Sequence, residues 1–126
     1  MNVSEAIAAA HKGEAGDAVV RALASATEDD LPALLAALQS KTADFSVREL
    51  VADPVTRLGG VKFLRELMTA LRKGFEEGHD NDGFQAHLAD LAEREPEAVR
   101  AALTKMAETA KGEALEDIKW LLEYCK

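Results

Sequence analysis

The stretch VKFLRELMTALRKGFEE, residues 61–77, constrains this chain more than any other. At about 100° per residue, Val61, Phe63, Leu64, Leu67, Met68, Ala70, Leu71 and Phe75 fall on one side of a helix. Lys62, Arg65, Glu66, Thr69, Arg72, Lys73, Glu76 and Glu77 fill the other. A surface helix usually carries an apolar stripe about 100° wide. A stripe covering roughly half the circumference needs more than one neighbour to cover it. The stretch is therefore expected to be a central helix, near 61–77, with the others packed around it.

The rest of the chain supplies helices and no strands. Hydrophobic residues make up 48% of the sequence but aromatics only 5%, and much of the apolar content is alanine. Alanine favours helix and adds little volume, so closely spaced helices with a few large anchors are expected. No run alternates with period two. At 126 residues the chain fits one domain, 1–126, with a core that needs no disulfide. The expected fold is all-α, a compact irregular bundle of seven or eight short helices. The similarity of EDDLPALLAAL to EREPEAVRAAL suggests the alternative, a short stack of helical hairpins.

Local signals divide the chain. Ser4 is placed to cap a helix ending before Gly13. Asp17 to Ala26 follows. Leu31, Leu34, Leu35 and Leu38 make an amphipathic stripe, with Pro32 in its first turn and Asp29 or Asp30 as cap. In FSVRELVADP, Ser46 and Glu49 have capping-box spacing, Phe45 and Leu50 have staple spacing, and Asp53-Pro54 is expected to stop the helix. Gly59-Gly60 permits either a break or a close approach. After Gly78, HDNDG is a turn with Asp82 as cap. Helices then open at Pro96 and near Glu113.

The net charge of −8 disfavours nucleic acid and anionic membranes as partners. The N-terminus, with an early acid, does not read as a signal peptide. No apolar run approaches the roughly 20 residues that span a bilayer. With one cysteine, Cys125, no internal disulfide forms, and the cytoplasm is the default compartment.

Chemistry-bearing constellations are weak. His79, Asp80, Asp82 and His87 are metal-ligand types, but a turn and a helix start separate the histidines. DNDGF resembles part of a calcium loop, yet Gly78 and Ala89 occupy the first and closing ligand positions. Cys125 reads as a small core residue at the end of an apolar stripe. No phosphate-binding glycine loop or nucleophile elbow is present. No cofactor, metal or catalytic residue is assigned, and the chain is not expected to be an enzyme.

Two surfaces stand out instead. Trp120 and Tyr124 lie four apart, roughly 100–140° from the apolar centre of the last helix. They sit beside Glu116 and Asp117 and form a candidate surface for a protein partner or self-association, with burial as core the competing reading. The second surface is a basic face of Arg57, Lys62, Arg65, Arg72 and Lys73. Lys62–Glu66, Arg72–Glu76 and Lys73–Glu77 are spaced to neutralise it locally. The expected function is a non-catalytic protein–protein interaction module: an adaptor, accessory subunit or inhibitor. The alternative is a small subunit of a nucleoprotein complex that contacts nucleic acid through the basic face.

Overall fold

The computed structural model describes Met1–Lys126 as eight α-helices and two 3-10 turns, with no strand. The helices are α1 Val3–His11, α2 Asp17–Ala24, α3 Leu31–Gln39, α4 Phe45–Gly59, α5 Leu64–Glu76, α6 Asp82–Arg94, α7 Pro96–Ala107 and α8 Gly112–Leu122. The 3-10 turns are Glu28–Asp30 and Gly60–Phe63. All eight helices contribute to one connected cluster of 29 buried apolar residues.

Only α1 and α4 begin with a capping side chain that accepts from a free N–H, and in neither is it the expected one. Asn2, not Ser4, caps α1: its Oδ1 accepts from the Glu5 N–H at 2.8 Å, and Glu5 Oε1 accepts from the Asn2 N–H at 3.0 Å. Asp30 does not cap α3 with its side chain. Its carboxylate reaches back to the Thr27 N–H at 2.8 Å and closes a separate 3-10 turn. Pro32 lies in the first turn of α3, where its missing N–H costs nothing.

The largest departure is α4. Asp44, rather than Ser46, caps it, accepting from the Val47 N–H at 3.1 Å. The helix then passes through Pro54 to Gly59. An interior proline costs a helix about 3 kcal/mol. Val51, Ala52, Pro54 and Val55 are all buried around it. Each fully buried valine stabilises by about 1.5–3 kcal/mol, so core packing on both sides of the proline outweighs the break.

Gly59 and Gly60 end α4. A Cβ on Gly59 would sit 2.4 Å from the Phe63 ring. Gly60 adopts φ 54°, ψ −137°, which glycine alone takes without strain. Val61–Phe63 therefore turn, and α5 begins at Leu64. Leu64, Leu67, Met68, Ala70 and Leu71 are buried, under cover from α3, α4, α7 and α8. The centre is shared: α4 packs on α1, α2, α3, α5 and α6. In a hairpin stack each unit meets only the next. Contacts of α1 with α4, α4 with α6 and α5 with α8 give a compact bundle instead.

The α5–α6 turn is held from inside. Gly78 has φ 89° and Asn81 has φ 61°. Asn81, not Asp82, precedes α6, because its buried Nδ2 donates to the Leu71 carbonyl at 2.9 Å. Asp82 is the first helical residue, and its N–H donates to Asp80 Oδ1 at 3.1 Å.

Candidate functional site: an open groove between α5, α7 and α8

One face of α5 is left partly uncovered where α7 ends and α8 begins. It presents Arg65, Met68, Thr69, Arg72, Lys73 and Glu76, spaced along a single helical side. Opposite are Met106 in the last turn of α7, Thr109 and Ala110 just beyond its end, then Ala114, Asp117 and Ile118 of α8. Together they enclose an open groove of about 530 Å³. Its volume falls within the range of about 300–1,000 Å³ usual for ligand pockets. The α7–α8 corner turns at Gly112, with φ 59°. Ala110 and Ala114 flank that corner, and their single methyl groups leave the space unfilled.

The walls are charged. Arg72 Nη1 lies 3.0 Å from Glu113 Oε2 and 3.4 Å from Asp117 Oδ1. Its guanidinium carbon sits 5.0 Å from the centre of the Phe75 ring. Arg72 Nε and Asp117 Oδ2 are buried without hydrogen-bond partners. Arg65 and Lys73 make no ion pair. Burial pushes the Asp117 carboxyl above the ordinary carboxylate value; Arg72 opposes the shift and Glu113 adds to it.

A raised carboxylate pKa means that the folded state holds the proton more tightly than the unfolded chain. The resulting stabilisation is full below the unfolded value, about 3.9, and is lost as pH rises through the higher folded value. Asp117→Asn removes this contribution and keeps an oxygen for Arg72. The difference in melting temperature between wild type and variant is expected to move in favour of Asn as pH rises from about 4 to 7. A constant difference across that range would contradict the burial of the carboxylate.

The sequence-derived candidates divide between faces. Trp120 and Tyr124 are half-buried, pack on the core and meet edge to face with centroids 5.4 Å apart. They line a shallow recess with Gln85, Ala86 and Ala89 of α6. Asp117 turns to the α5 groove, while exposed Glu116 lies 3.6 Å from Lys119. Of the basic residues, Arg65, Arg72 and Lys73 share the groove. Arg57 and Lys62 lie outside it: Arg57 donates to the Leu23 carbonyl at 3.1 Å, and the Lys62 ammonium is 5.4 Å from the Phe63 ring centre.

The three expected pairs along α5 do not form. Glu77 goes to Arg48, and Arg72 goes to α8. Sequence reasoning did not find the α7 and α8 walls. Their available signal was the cluster of small residues around Gly112.

Other reactive groups are dispersed. His79 stacks on Phe45 at 4.2 Å, and His87 Nδ1 lies 3.8 Å from Asp53 Oδ1. No three His, Cys, Asp or Glu side chains converge with metal-ligand spacing. Cys125 is buried, and desolvation pushes its thiol up despite Arg100 nearby. A second groove of about 470 Å³, between α2, α4 and α6, brings Val20, Leu23 and Leu50 beside Glu49, Asp53 and His87. No helix is long and apolar enough to cross a membrane. Comparison with protein-family models, curated proteins and solved structures finds no match to this chain.

Proposed function

We propose that this chain is a non-catalytic protein-binding module that receives its partner in the α5–α7–α8 groove. The observation that carries this reading is the open apolar floor of Met68, Met106, Ala110, Ala114 and Ile118, bordered by Arg65 and Lys73, which make no ion pair within the chain. The lining contains no histidine, cysteine or serine, and its one buried carboxylate is held by an arginine. That is poor equipment for nucleophilic or general-base chemistry. The same reading covers an adaptor, an accessory subunit or an inhibitor.

The unpaired Arg65 and Lys73 also suit the nucleoprotein alternative, although the overall charge of −8 opposes it. Affinity capture from nuclease-treated source lysate separates the readings. The wild type and Trp120→Ala are expected to retain a stoichiometric protein. Ala114→Trp, which fills the groove from an exposed position, is expected to lose it. Loss on nuclease treatment would favour the nucleic-acid reading. Retention by Ala114→Trp together with loss by Trp120→Ala would move the interface to the aromatic recess.

A further inference from the structure

We propose that the recess between α6 and α8 is a docking site for a cationic, proline-rich segment of another protein in the polyproline II conformation. The site is separate from the α5–α7–α8 groove and does not rest on it. It is built on the edge-to-face pair of Trp120 and Tyr124, the only tryptophan and the only tyrosine of the chain. Both rings are half-buried, so core packing fixes them while part of each stays at the surface. Ala86 and Ala89 line the recess from α6, and their single methyl groups leave about 300 Å³ of open space.

Two free donors argue for the backbone conformation. The Trp120 indole N–H and the Tyr124 hydroxyl make no hydrogen bond within the chain. Both stay open to solvent. A docked helix has already used most of its carbonyls internally. A polyproline II segment has no internal hydrogen bonds, so its carbonyls accept from such donors. Its conformation is preformed, and aromatic-lined surfaces are the mode by which it is recognised.

Charge argues for a cationic segment. Asp82 is the one charged residue lining the recess, and no cation of the chain pairs with it. At about 100° per residue Glu93 continues the α6 stripe of Asp82, Ala86 and Ala89, whereas His87 and Arg94 fall about 120–140° from Asp82. On α8, Glu116 and Glu123 lie within about 60° of Trp120. The one lysine beside them, Lys119, is 3.6 Å from Glu116. Arg100 of α7 donates to the Cys125 carbonyl, and Arg72 holds Glu113 and Asp117 on the other side of α8. The border of the recess thus keeps a surplus of carboxylates after every cation near it is counted.

The probe is a short synthetic peptide of proline repeats flanked by arginines. One counterpart carries glycine in place of each proline, and another carries glutamate in place of each arginine. Binding to the full chain is followed by heteronuclear NMR and by the fluorescence of the sole tryptophan. The proline–arginine peptide is expected to shift the Trp120 indole N–H signal. It is expected to bind at least about tenfold more tightly than either counterpart. Tyr124→Phe keeps the ring and removes its donor, and is expected to weaken binding about threefold or more at an unchanged melting temperature. Asp82→Asn with Glu93→Gln is expected to narrow the gap between the arginine and glutamate peptides.

Equal binding of the glycine or the glutamate peptide, an affinity unchanged by Tyr124→Phe, shifts confined to either of the two grooves, or no binding would each overturn the inference. None of these results bears on the α5–α7–α8 groove, whose test is the capture with Ala114→Trp.

Discussion

Glu77→Gln is expected to destabilise the fold by about 3 kcal/mol, measured by urea denaturation. Its carboxylate is the counter-charge of Arg48, which is 1% exposed. The Arg48 guanidinium donates through Nη1 to the Ala43 carbonyl at 2.8 Å and through Nη2 to Glu77, while Nε has no partner. An arginine does not shed its proton on burial. Removing the carboxylate strands a buried positive charge, a loss of about 3–5 kcal/mol. The lower end applies because Glu77 is 38% exposed and the glutamine oxygen still accepts a hydrogen bond.

Arg48→Met, at the other end of the pair, is expected to cost only about 1–2 kcal/mol. It removes the buried charge, leaves Glu77 to water and deprives only the Ala43 carbonyl. The order of the two losses is the test. If Arg48→Met proves the more damaging, the guanidinium matters through packing, and the electrostatic account fails.

Gly74→Ala is expected to destabilise by about 2 kcal/mol, although alanine is the better helix former by about 1 kcal/mol. A Cβ at position 74 would lie 2.3 Å from Asn81 Oδ1. Asn81 is fully buried, has φ 61° and donates to the Leu71 carbonyl. It has nowhere to move without losing that bond, worth about 1–3 kcal/mol when a buried group is left unpaired. Asn81→Gly empties the space and accepts the left-handed backbone. The double variant should therefore lose less stability than the sum of the two single losses, a coupling that chemical denaturation resolves. A stabilised Gly74→Ala would mean that the α5–α6 turn does not press on the helix.

These two sites show where sequence reasoning ran short. Gly74 lies in the middle of an amphipathic pattern, and nothing in the pattern says that a buried asparagine from the next turn rests on it. Glu77 is spaced for Lys73, a local pair worth a few tenths of a kcal/mol. A buried arginine 29 residues earlier offers a deeper site and takes it. The caps were misplaced for a related reason. Asn2 and Asp44 start their helices two residues earlier than Ser4 and Ser46 would, accepting from the Glu5 and Val47 N–H groups, and spacing alone does not rank the two starts. Of the groove, three cations of α5 were legible as a charged stripe. The apolar floor was not, because it forms only where α7 and α8 meet that stripe.

The sequence by itself determined that the chain is helical, which face of α5 turns inward, and where most helices stop. Those properties arise from periodicity, from alanine and leucine propensity, and from Pro32, Gly13 and Gly78, all acting over a few residues. Tertiary structure alone decided that α4 runs through Pro54, that α4 shares the centre with α5, that Arg48 and Asn81 are buried, and that a groove stays open beside Gly112. Each of these balances a local cost of one to several kcal/mol against burial or ion pairing supplied by distant residues, and that balance exists only once the helices have packed.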